Sequence, residues 1–153
     1  MKITDSNGEI RRARITVESF EELVQDGSGF LKVYEFVTEE IKFGWARIRL
    51  PYKEIHVRAG GTIAGPAMMA LADFTSFAAL MGAIGPARMA VTSSLSINFL
   101  RRPAPTDIVG EAQIVEVTSR LGFAEVELFT LGEDSPIAHI SSTYAIPRIL
   151  PEN

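Results

Sequence analysis

The chain contains no cysteine, which excludes disulfides, a thiolate nucleophile and thiolate metal ligands. Histidine is nearly as scarce: His56 and His139 are the only two, too few for a histidine-rich metal site. Cationic charge is also short, with 15 Lys and Arg against 19 Asp and Glu and a net charge of -4. The only basic clusters, Arg11-Arg12-Ala13-Arg14 and Arg101-Arg102, make no continuous stripe, so nucleic acid is not an expected partner. The first twelve residues, M-K-I-T-D-S-N-G-E-I-R-R, lack the apolar run of a secretory signal. These absences fit a cytosolic protein that uses neither metal nor redox cofactor.

What is present suits one folded domain: 153 residues, 46% hydrophobic and 22% charged. The chain is organised around the stretch from Arg58 to Arg88, where small and apolar residues enclose a single ionisable group, Asp73. Gly60 and Gly61 permit an unusual loop, Gly65-Pro66 marks a helix start with proline at the first helical position, and Gly82 to Pro86 ends the helix. Met68, Met69, Leu71, Phe74, Phe77, Leu80 and Met81 fall on nearly every side of it, the pattern of a buried helix. Although nearly long enough to cross a bilayer, the helix carries Asp73 at its middle among Ala, Ser, Thr and Gly, so no membrane partner is expected. A carboxylate in apolar surroundings is costly unless paired or hydrogen-bonded, and such surroundings suit it to act as a base. Asp73 is therefore the leading catalytic candidate. The competing reading is a structural aspartate bonded to Thr75, Thr62 or a neighbouring chain's backbone.

Along the chain, residues 1 to 14 show little pattern. Ser19-Phe20-Glu21-Glu22 matches a capping box for a short helix near 17 to 25, which would pack on the main body or on a neighbouring subunit. Gln25 to Gly29 breaks the chain. Phe30 to Ile41 and Trp45 to Leu50 read as two strands joined around Lys42 to Gly44. Beyond the helix, strands are expected at Ser94–Phe99, Ile108–Val117, Ala124–Leu128 and Ile137–Ile146, with alternation that leaves one face wet. One apolar helix and six half-buried strands have an economical arrangement, an antiparallel sheet curled around the helix. Such a sheet covers the helix on one side only, so two chains are expected to pair.

Three stretches carry a resemblance: Gly60-Gly61-Thr62-Ile63-Ala64-Gly65-Pro66, Leu71-Ala72-Asp73 and Asn98-Phe99-Leu100-Arg101-Arg102-Pro103. With the order of elements, they resemble the hotdog-fold thioesterases of the PaaI-like, phenylacetic-acid-degradation type, over roughly residues 29 to 147. The resemblance implies an α+β hotdog fold, with residues 1–28 as an extension and 148–153 as a tail, and hydrolysis of acyl-CoA by a homodimer or tetramer. It implies no cofactor beyond the coenzyme A of the substrate. By position, Asp73 matches the family's catalytic carboxylate, as general base or nucleophile, and Gly65 matches the glycine whose N–H binds the oxyanion. The implied substrate-contacting residues are Arg58, Gly61, Thr92, Ser93, Met69, Phe77, Arg101 and Arg102. Ser93 or its neighbour Thr92 takes the place of a hydroxyl that assists the carboxylate. The chain departs from the family where a His-Gly-Gly triplet becomes Ala64-Gly65-Pro66, and where an Asn or Gln becomes Arg58. Arg58 has four readings: pairing with a carboxylate, polarising the carbonyl, holding a coenzyme A phosphate, or a solvated loop arginine. A non-catalytic acyl-CoA-binding module and a hotdog dehydratase are the alternatives, the latter set back by the lack of histidine at the helix entrance.

A helix N-terminus offers free N–H donors and positive dipole charge to an oxygen that becomes negative, independently of any family. Gly65 and Asp73 are eight residues apart, about 12 Å along a helix rising about 1.5 Å per residue. Both cannot reach one carbonyl from the same chain. If both act, the site joins two subunits.

Overall fold

The structure is a computed structural model that describes residues 1–25 and 29–147. Asp26, Gly27 and Ser28 of the expected break, and the 148–153 tail, lie outside the described residues. In chain order the elements are α1 (Val17–Gln25), α2 (Gly29–Tyr34), β1 (Val37–Lys42), β2 (Trp45–Leu50), a 3-10 turn (Glu54–His56), α3 (Gly65–Ile84), β3 (Val91–Phe99), β4 (Ile108–Val117), β5 (Leu121–Thr130) and β6 (Ala138–Ala145). The strands form one antiparallel sheet in the order β1-β2-β4-β5-β6-β3, curled around α3. This is the curled antiparallel sheet expected from the order of elements, and the hotdog fold that the resemblance implies.

The long helix forms where Ala, Leu and Met, good helix formers, run between two breakers. Ala64 caps it in extended conformation, and Pro66 is its second residue rather than its first. At the other end Gly85 takes a φ of 89° that favours glycine and donates its N–H to the Met81 carbonyl. The helix passes the length and composition test for a membrane span, but most of it is buried inside the sheet. Alternate residues of β4, β5 and β6 face it: Ala112 and Ile114, then Ala124, Val126 and Leu128, then Ala138, Ile140, Ser142 and Tyr144, all buried.

Gly82 sets how close helix and sheet can come. A Cβ there would lie 2.4 Å from the Lys42 carbonyl oxygen and 2.9 Å from Ile41 Cγ2. Because the first obstacle is backbone, Gly82→Ala must push α3 off the β1–β2 hairpin, an overpacking cost of about 1–3 kcal/mol. Thermal or urea unfolding reads it directly, and an unchanged midpoint would contradict this packing.

Two expectations are corrected. Residues 30 to 36 are not strand: α2 occupies Gly29–Tyr34, Glu35 takes a left-handed φ of 51°, and β1 starts at Val37. The aromatic residues that read as β-forming build a stack instead. Phe30 meets Tyr34 one turn on at 5.0 Å, Tyr34 lies on Phe36 at 5.2 Å and on His56 at 5.4 Å, and Phe36 lies on Phe74 of α3 at 4.9 Å. The cap of α1 is Thr16, whose Oγ1 accepts from the Ser19 N–H at 3.2 Å, so Ser19 sits inside the helix. The N-terminal residues are also bound to the body. The Met1 ammonium donates to the Val115 carbonyl, Arg14 N–H donates to the Gly82 carbonyl at 2.9 Å, and Ile15 is buried. These are single contacts along a strap, which leave no periodicity to read.

Candidate active site

Asp73 is the ninth residue of α3 and lies part-buried at the wall of a cavity of about 410 Å³. Thr92, at the start of β3, donates from Oγ1 to Asp73 Oδ1 at 2.6 Å. Tyr144, near the end of β6, places its hydroxyl 2.6 Å from the same Oδ1 and 2.8 Å from the Asp73 carbonyl oxygen. Asp73 therefore has one oxygen held by two hydroxyls, while among the described residues none donates to Oδ2. Thr75 and Thr62 do not bind it: Thr75 returns its proton to the Leu71 carbonyl at 2.6 Å, and Thr62 Oγ1 accepts from Arg58.

Of the two hydroxyl candidates on β3, Thr92 reaches the carboxylate. Ser93 donates instead to the Thr143 carbonyl at 3.2 Å, across an irregularity where the β3–β6 register shifts between Thr92 and Ser94. Phe77 shares the cavity with Phe74. Leu23 and Val24 of α1 and Phe30 and Leu31 of α2 wall its other side, and α1 packs on this chain's own α3. Phe20 fixes α1 there, its ring 5.4 Å from Phe74 and 5.9 Å from Phe77. Met69 is turned outward and 41% exposed, outside the lining of this cavity. Its neighbour Met68, about 100° further round the helix, is buried instead.

Gly65, Arg58, Arg101 and Arg102 gather at a second cavity of about 440 Å³, which Met68 and Phe99 also line. At the helix entrance the Ala67 and Met68 N–H groups are taken by the Ala64 carbonyl at 3.0 and 3.3 Å, and Pro66 has none. The Gly65 N–H is the donor left over: among the described residues it meets no acceptor, and it carries the positive end of the α3 dipole. A Cβ on Gly65 would stand 3.2 Å from the tip of the Phe99 ring. Gly61 lies outside the lining of this cavity; its left-handed φ of 76° closes a tight turn in which its N–H donates to the Arg58 carbonyl at 3.0 Å. Arg58 Nε donates to Thr62 Oγ1 at 3.0 Å and Arg101 donates to the Pro136 carbonyl at 2.6 Å, so both side chains are steered. Neither cavity is lined by histidine. His56 is buried under Tyr34, with Nε2 3.2 Å from the Val33 carbonyl, and His139 faces Asn98 and Glu127 across the sheet.

Residues 60–137, which include Gly65, Asp73 and Thr92, match the thioesterase superfamily. The chain belongs to that superfamily. It is a thioester hydrolase by descent, with the hotdog fold of PaaI-like members. A candidate esterase from Halobacterium salinarum is 30% identical over 110 residues, 69% of this chain and 72% of that one. A candidate thioesterase of a Silicibacter species superposes with a TM-score of 0.76 at 27% identity, covering 89% of this chain and 96% of that one. The PaaI protein from the phenylacetic acid degradation operon of E. coli shares the fold, with a TM-score of 0.70 at 16% identity over 83% and 90% of the two chains.

Tyr144 was not among the sequence candidates for this superfamily member. Its signal was the period of β6, which puts Ser142 and Tyr144 on the helix-facing side with Ala138 and Ile140. Burial, with the Asp73 charge and the hydrogen bond to it, holds the Tyr144 phenol far above its ordinary value. It therefore stays a donor at any working pH. In the unfolded chain the phenol ionises near pH 10 and in the folded chain it does not, so its contribution to stability is intact below about pH 10 and is lost as pH rises beyond it. Stability should fall there by up to about 1.4 kcal/mol per pH unit through this one group. In Tyr144→Phe that part of the alkaline slope should vanish, as read by urea unfolding between pH 8 and 11. Equal slopes in the two proteins would contradict the assignment.

Proposed function

We propose that this thioesterase superfamily member hydrolyses acyl-CoA in a site shared by two copies of the chain, with Asp73 as general base. Water attacks the thioester carbonyl carbon while Asp73 Oδ2 takes its proton. The carbonyl oxygen becomes an oxyanion beside the Gly65 N–H of the other copy. The C–S bond then breaks, and the proton returns from Asp73 to the departing sulfur, giving a carboxylic acid and coenzyme A. The carrying observation is the asymmetry at Asp73: Oδ1 pinned by Thr92 and Tyr144, Oδ2 left for the reaction. This reaction calls on no metal or redox cofactor.

The β3 strand supports the shared site. It is an edge of the sheet, nearly all its residues are exposed, and Val91 and Phe99 at its two ends are 58% and 53% exposed. An edge with unpaired N–H and C=O groups is a template for another strand. Thr92 stands at the Asp73 cavity and Phe99 at the Gly65 cavity, about 24 Å apart along the strand. Antiparallel pairing of two β3 strands about their middle swaps those ends, so the Asp73 cavity of one copy meets the Gly65 cavity of the other. Arg58, Arg101 and Arg102, around Gly65, are then placed to hold the phosphates of coenzyme A.

The test is hydrolysis of a panel of alkyl- and aryl-CoA thioesters, followed with a thiol reagent. Because the chain has no cysteine, only released coenzyme A reacts. Turnover of at least one member supports the proposal. Tight binding of the panel without turnover assigns a binding module instead.

A further inference from the structure

A third cavity, of about 690 Å³, lies between the N-terminal strap and the β1–β2 hairpin, where Gly82 of α3 packs on Lys42. It is apart from both cavities described above and shares no lining residue with them. Its walls are Ile3, Ile10, Ile41, Phe43 and Trp45, and Ile10 is 78% exposed. The ionisable residues that line it are Arg11, Arg12 and Lys42, with no acid among the lining residues of a chain whose net charge is -4. Arg11 lies over the Phe43 ring at 5.1 Å, and Lys42 lies over the Trp45 ring at 4.6 Å while also pairing with Glu40 at 3.0 Å. Arg12 has no ion pair or hydrogen bond among the described residues.

From this combination we infer that the cavity binds an amphipathic anion, a medium-chain fatty carboxylate, with its tail against Trp45, Phe43 and the isoleucines and its carboxylate beside Arg12 and Arg11. The volume lies within the roughly 300–1,000 Å³ usual for small-molecule sites. An apolar wall alone would take any alkane. Lys42 is already paired with Glu40, so the two arginines of the rim select the anion, and arginine, a planar donor, suits a carboxylate. The inference does not rest on the proposed hydrolysis and survives if that reading fails.

Trp45 is the sole tryptophan of the chain and lines this cavity and neither of the other two, so its fluorescence reports on this site directly. Decanoate should shift its emission in a saturable way and bind at least about tenfold tighter than decanol or decyltrimethylammonium, which have similar tails and a different head. The double variant Arg11→Gln and Arg12→Gln should lose that preference, and Ile10→Ser should weaken decanoate and decanol alike. Unfolding midpoints near the wild type's show that the variants fold, and Asp73→Asn should leave the titration unchanged. Equal binding of the three amphiphiles, or an unchanged titration in the double variant, overturns the inference. So does a shift seen with phosphatidylglycerol vesicles and absent with free decanoate, which would assign a lipid surface. A shift that tracks protein concentration instead of decanoate would assign contact between copies, and also overturns it.

Discussion

Asp73→Asn should lower kcat by about 10²–10⁴-fold while KM changes little and the protein stays folded. The expectation follows from which oxygen does what. An asparagine fills the same volume, and its amide oxygen can still accept from Thr92 and Tyr144 in place of Oδ1. The amide nitrogen then stands where Oδ2 was, and it cannot take a proton from water. Loss of charge on the two hydroxyl bonds should cost no more than about 1–2 kcal/mol of stability, which separates the chemical effect from a folding effect. Asp73→Ala would confound the two by opening a cavity beside Phe74 and Phe77. Activity within twofold of the wild type in Asp73→Asn, measured by thiol release, would return Asp73 to a structural role.

At Gly65 the expected loss comes from a single N–H. Gly65→Pro removes that donor, and Gly65→Ala keeps it; both add a Cβ facing the Phe99 ring at 3.2 Å. Phe99 is half-exposed and can turn aside, so the alanine variant measures the steric part alone. The proline variant should fall a further 10²–10³-fold, about the loss found when one oxyanion donor is removed. Proline suits the first turn of a helix, and Ala64 already has the extended backbone that a following proline requires. The loss should appear in kcat, since the N–H meets full negative charge only as the carbonyl becomes tetrahedral. Equal activity in the two variants would remove Gly65 from the mechanism.

Much of this was legible in the sequence because it is local. The Gly65-Pro66 start and the glycine stop bounded α3, and the alternation of Ala124 to Leu128 marked β5. Asp73 stood out as the one ionisable group in the run between Arg58 and Arg88. What failed was of two kinds. Phe30 to Phe36 has strand-like composition, but its rings are used to stack on α3 and His56, a tertiary demand that outweighs propensity. Tyr144 lies 71 residues from its partner Asp73, and only the register that sets β6 beside β3 brings Thr92 and Tyr144 to one oxygen. The choice of Thr92 over Ser93 also depended on a register shift that no local pattern announces. The positions of Gly65 and Asp73 on one rigid helix, by contrast, already implied that a mechanism using both needs a second chain.

That requirement has a direct test in subunit mixing. Asp73→Asn and Gly65→Pro chains, each inactive alone, are combined in equal amounts, dissociated and reassembled. If each site takes Asp73 from one copy and Gly65 from the other, a mixed dimer has one site with both defects and one with neither. About a quarter of wild-type activity should then return. A mixture as inactive as its components, with mixed dimers shown to form, would contradict the shared site.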